Sequence, residues 1–165
     1  MMRTFGYAVV AVLITAGVSQ AVPTTPKIPE ASPKITKATH GWRIVELHQS
    51  ACMIKEAEHE PLTYNTQSPA DCTRINRASA ELRAESMRLL RLPAGNYVFR
   101  VFNDAVPYPV GFQLKGAQDQ GLPTVKGGDI KRGMSRDFRV KLEPGRYVYG
   151  CPLNPTPDYQ LIVEE

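Results

Sequence analysis

Three cysteines (Cys52, Cys72, Cys151) and three histidines (His40, His48, His59) are the side chains of this chain suited to redox or metal chemistry. A thiolate with two imidazoles would hold copper, and two thiols would close a disulfide. Spacing narrows the options. No Cys/His set has zinc-site spacing, and the sequence has no Gly-rich phosphate loop, HExxH or GxSxG motif. His59 stands among Glu56, Glu58 and Glu60, which reads as a solvated acidic loop because the ligand spacings of a built cation site are missing. Carboxylate pairs such as Asp104 and Asp119 carry no weight without geometry. On these motifs no enzyme is expected, and no catalytic residue is assigned.

Three cysteines allow three pairings. Cys52–Cys72 is favoured, because the two flank one loop and the second begins a helix. Cys151 is then left as a buried thiol, a small hydrophobe beside Tyr147 and Tyr149 with no His or Lys nearby in sequence to lower its pKa.

The start of the chain points to export, the setting in which a disulfide is expected. Met1–Tyr7 carries Arg3 and no acid, Ala8–Val18 is apolar, and Ser19-Gln20-Ala21 places small residues at the −3 and −1 positions. This reads as a signal peptide, residues 1–21, cut after Ala21. The apolar run is shorter than the roughly 18 residues of a membrane span, so no transmembrane segment is expected after cleavage. The expected location is periplasmic or secreted. Residues 22–40 hold Pro23, Pro26, Pro29 and Pro33 and little to bury, which predicts a Pro-rich disordered leader. The folded domain is expected over 41–165. The net charge of +4 is mild and its cations are scattered, so nucleic acid is not an expected partner.

Strands must position the cysteines. Arg136–Glu143 alternates Phe138, Val140 and Leu142 with charged residues, the pattern of a strand with one wet face. Tyr97–Phe102, Val110–Leu114, Arg146–Cys151 and Tyr159–Val163 are aromatic and β-branched runs bounded by Pro, Gly and Asn. Trp42–Leu47 and Met87–Leu92 bring the expectation to about seven strands, an all-β antiparallel Greek-key sandwich. One helix interrupts them. Ser68-Pro69-Ala70-Asp71 is an N-terminal signal, and the helix is expected over 69–85 with Cys72, Ile75, Ala78, Ser79, Leu82 and Ser86 on its inner stripe. An echo runs through this region: Leu92-Pro-Ala-Gly95-Asn-Tyr97-Val-Phe99 matches Leu142-Glu-Pro-Gly145-Arg-Tyr147-Val-Tyr149. Each copy predicts a hairpin turn that sets a Tyr beside the end of the previous strand.

Those stretches also carry a family resemblance. LPAGNYVFRVFNDAVPYPVGFQL resembles the central part of a cupredoxin, where a glycine turn leads to a strand, an Asn and the first copper-binding His. EPGRYVYGCPLNPTPDYQLIV is similar to the last two cupredoxin strands, with the copper thiolate at the end of a tyrosine-rich strand. The likeness covers about residues 90–163. It implies former copper-site positions at Tyr108, Cys151 and Asn154. Cys151 matches the thiolate, but Tyr108 stands where the family has its first His, and neither His nor Met follows Cys151. Both imidazoles are missing, so no cofactor is expected. The alternative is an electron-transfer or metal-handling protein whose copper site is rebuilt from Cys151 with His48 or His59.

What remains is a binding or assembly module. Tyr108, Phe112, Pro152, Leu153 and Pro155 would form an apolar rim at one end of the sandwich. Such a rim suits docking of an unidentified protein or small molecule in the cell envelope, and equally suits packing of loops over the core.

Overall fold

The structure is a computed structural model that describes residues 29–31, 33–59, 62–118 and 121–165. The expected signal peptide, the leader as far as residue 28, Glu60 and Asp119 lie outside the described residues. In chain order the elements are β1 (Ile35–Lys37), β2 (Arg43–Ser50), β3 (Met53–Ile54), α1 (Pro69–Ser86), β4 (Leu90–Pro93), β5 (Gly95–Asn103), β6 (Val110–Gly116), β7 (Val125–Ile130), β8 (Ser135–Leu142), β9 (Gly145–Gly150) and β10 (Tyr159–Glu164). No helix of the described residues is long and apolar enough to cross a membrane.

Two five-stranded sheets share one core, consistent with a β-sandwich. The first runs β1-β2-β5-β8, with β3 also on β2; the second runs β4-β10-β9-β6-β7. Aromatic rings bind the layers together. Phe112 of β6 lies 5.4 Å from Phe99 of β5 and 5.3 Å from Phe138 of β8, while Tyr149 and Tyr159, 5.6 Å apart, pair within the second sheet. The alternation in β8 holds as expected, with Phe138, Val140 and Leu142 buried and Arg139 and Lys141 exposed.

The sheets are mixed, which corrects the antiparallel expectation. β2 pairs β5 in parallel, and β4 pairs β10 in parallel. Parallel neighbours need a long crossover, and the segment containing α1 supplies one between β2 and β5. Three strands went unforeseen: β1, β3 and the glycine-containing β7. β1 lies inside the stretch expected as leader. It pairs antiparallel with β2, and Glu30 bridges Leu89, so ordered chain begins before Gly41. Backbone pairing needs few large side chains, which is why composition hid it.

The internal echo is real in three dimensions but builds a different connection. Neither copy is a hairpin: β4 and β5 lie in different sheets, and so do β8 and β9. At each crossing a glycine, Gly95 at φ +147° or Gly145 at φ +155°, adopts a conformation that side chains disfavour. The tyrosine two residues on then ties the corner. Tyr97 Oη donates to Pro93 O at 2.9 Å and Tyr147 Oη donates to Glu143 O at 2.9 Å, a tyrosine corner made twice.

Helix α1 starts where its signal stands. Asp71 accepts hydrogen bonds from the Gln67 and Ser68 amides, which with Arg74 lower its pKa to about 2. Its inner face is not the expected stripe. Leu82 is 63% exposed, whereas Cys72 and Arg83 are buried. Arg83 turns inward because its partners are there. Its guanidinium donates to Glu58 Oε1 at 2.5 Å and to the Cys52 carbonyl at 2.9 Å, and also bonds Asn76 Oδ1. Tyr159 Oη completes the cluster by donating to Glu58 Oε1 at 2.5 Å.

Cys52 and Cys72 stand at disulfide distance, with Cα atoms 4.9 Å apart, and the bond pins the start of α1 to the β2–β3 turn. Closing a loop of 20 residues stabilises by about 3 kcal/mol in the chain-entropy account. A Cys52→Ser, Cys72→Ser double variant should therefore unfold at lower urea with a loss near that value. Thiol titration of the denatured wild type should give one free thiol before reduction and three after; three at the outset would refute the pairing.

Candidate functional site

Cys151, Tyr108 and Asn154 meet at the end of the two sheets where the β5–β6 and β9–β10 connections lie. Cys151 follows the last residue of β9 and is buried. Its Sγ accepts the Gly111 amide at 3.1 Å and the Asn154 amide at 3.1 Å. Burial raises its thiol pKa, against the lowering effect of those amides, so at neutral pH it is a protonated thiol.

Asn154 is fully buried and fully occupied. Its Oδ1 accepts the Cys52 amide at 2.9 Å and the Tyr108 hydroxyl at 3.2 Å, and lies 3.2 Å from Cys72 Sγ. Its Nδ2 donates to Ser50 O at 2.9 Å and reaches Gln49 Oε1 at 3.4 Å. One asparagine thus joins the thiol, the disulfide and the end of β2. Tyr108 is half-buried with its hydroxyl turned inward, toward Asn154 and Thr66 Oγ1, and burial raises its pKa.

Several members of this network were not foreseen. Gln49 is buried and donates from Nε2 to Gly111 O at 2.6 Å. Asn103 holds the loop before β6, donating to Tyr108 O at 3.1 Å and Ile130 O at 3.0 Å and accepting the Val106 amide at 2.9 Å. The signal for Gln49 was available: it continues the inward series Val45, Leu47 of β2, and a polar residue at an inward position requires partners.

The expected rim is only partly there. Phe112 is fully buried in the core and contributes nothing to an exposed face. Leu153 is 44% exposed, yet its Cδ1 fits against Gly111 and Gly128 where any Cβ would collide. Pro155 is half-buried, and its carbonyl accepts from Asn76 of α1 at 2.7 Å. The turn after Cys151 is therefore seated on its neighbours.

Type 1 copper does not fit this donor set. The groups at Cys151 Sγ are amide N–H donors, and the neighbouring side chains are carboxamides, neither of which replaces two imidazoles. His48 faces outward, its ring stacked 4.5 Å from Phe102 and its Nδ1 2.7 Å from Glu56 Oε1. His59 bonds Arg88, and His40 sits in an exposed turn. Among the described residues no group of three His, Cys, Asp or Glu side chains is placed to hold a metal ion. No protein-family model and no curated protein matches the chain.

Beside the network lies a cleft of about 590 Å³. Its walls are the 62–67 segment, the β2–β3 turn, Ala105, Pro107 and Arg132. The volume is that of a small-ligand site. Its charged lining residues are Lys55 and Arg132, with Lys55 bonded to Asp104 at 2.6 Å.

Buried phenols make the fold sensitive to alkali. Burial raises the pKa of Tyr149 and, with Glu58 nearby, that of Tyr159. The folded chain keeps these protons while the unfolded chain loses them above about pH 10. Stability should therefore be level below that pH and fall as pH rises beyond it. A urea midpoint unchanged up to about pH 11 would contradict this.

Proposed function

We propose that the chain is an exported cupredoxin-like binding or assembly module, of Greek-key descent, in which an asparagine network stands where the family keeps type 1 copper. The observation that carries this reading is the bonding of Asn154, whose backbone N–H donates to Cys151 Sγ while its side-chain amide joins Cys52, Tyr108 and Ser50. The sequence likeness around Cys151 and Tyr108 and the two-sheet arrangement support the family assignment. The signal-like start and the cystine support export to the periplasm or beyond.

A scaffold of this kind works by rigidity. The disulfide, the seated turn after Cys151 and the Asn103 clamp hold the loops without a metal, and preorganised loops lose little entropy when they bind. The cleft beside them is where a partner in the cell envelope would sit. The test is the copper content of the purified mature chain and its visible spectrum after Cu(II) is added. Sub-stoichiometric copper and no intense thiolate charge-transfer band are expected; stoichiometric copper with such a band would replace this reading with a redox metal protein.

A further inference from the structure

Residues 62–67 line the cleft with alternating burial. Leu62 and Tyr64 are half-buried and Thr66 is buried, while Thr63, Asn65 and Gln67 are exposed. That is the pattern of a strand, and its inward side chains anchor it. Thr66 Oγ1 lies 3.4 Å from the Tyr108 hydroxyl, and the Arg83 guanidinium lies 5.8 Å from the centre of the Tyr64 ring. Yet the segment joins neither sheet, and among the described residues no backbone group pairs with the backbone of residues 62–66. Unpaired backbone amides and carbonyls on a segment anchored by alternate side chains are what an added strand needs.

The cleft also selects by charge. Arg132 lines it and makes no ion pair among the described residues, and Lys55 adds a second cation that Asp104 partly neutralises. Among the described residues no carboxylate belongs to the lining itself. We infer that residues 62–66 are a strand-addition edge that takes an acidic peptide segment in extended conformation, its backbone on this edge and a carboxylate on Arg132. This deepens the binding-module reading, on which it rests, by naming the partner's chemistry.

The experiment uses the mature chain, metal-free, and reads backbone amide exchange and chemical shifts. The probes are two blocked hexapeptide pools, one with glutamate and one with lysine at every second position and mixed residues between. In the free chain the amides of Thr63 and Asn65, which share one edge of a strand, should exchange fast. The glutamate pool at millimolar concentration should slow them at least tenfold and shift Arg132, and the lysine pool should not. Arg132→Glu, at an exposed turn, should lose the glutamate pool's effect while keeping the fold. Amides already protected in the free chain, no response to the glutamate pool, an equal response to the lysine pool, or an unchanged response in Arg132→Glu would each overturn the inference. Copper titration of the same sample reports on the metal question separately, so the two failures are distinguishable.

Discussion

Arg83→Leu is expected to cost about 3–5 kcal/mol of folding stability, the loss seen when one partner of a buried ion pair is removed. Arg83 and Glu58 are 1% and 0% exposed, so the variant leaves a carboxylate uncompensated in the interior. It also removes donors from the Cys52 carbonyl and from Asn76, which are separate contributions. The measurement is a urea midpoint with the slope held as a check on two-state behaviour. Glu58→Gln placed on top of Arg83→Leu should recover part of the loss, because the orphaned charge disappears. A loss under about 1 kcal/mol for Arg83→Leu would mean that solvent reaches Glu58 and that the helix is not anchored by this pair.

Asn154→Ala should cost about 4 kcal/mol, since each buried polar group left without its partner costs about 1–3 kcal/mol. The groups stranded are the Cys52 amide, the Ser50 carbonyl and the Tyr108 hydroxyl, although the last keeps Thr66. The neighbouring Leu153→Ala, at a 44% exposed position, is expected to cost under about 1.5 kcal/mol. Equal losses for the two variants would show that the turn is held by apolar contact and not by the amide.

Much of this could be read from residue types. The strand alternation of 136–143, the helix signal at 68–71 and the Gly-Tyr echo all rest on local rules, and each reappears in the structure. What failed was long-range. Whether Leu92-Pro-Ala-Gly-Asn-Tyr turns back within one sheet or crosses to another depends on partners far along the chain, and the local turn chemistry is the same. The parallel pairing of β2 with β5 was invisible for the same reason. Arg83 misled in a different way: an arginine is assigned outward by default, and only the distant Glu58 and Tyr159 turn it inward. The site was half legible. Cys151, Tyr108 and Asn154, each singled out in the sequence, share one hydrogen-bond network, whereas Phe112 as a rim residue ignored that an aromatic in the middle of β6 has the core to fill.

The most direct test of the proposed metal-free network around Asn154 is the S–H stretch of Cys151 in the Raman spectrum. With Cys52 and Cys72 joined, Cys151 contributes the one thiol of the chain, so the band belongs to it alone. The account predicts an S–H band that keeps its position and intensity after one equivalent of Cu(II). Loss of that band on adding copper, with a visible charge-transfer transition in its place, would contradict it.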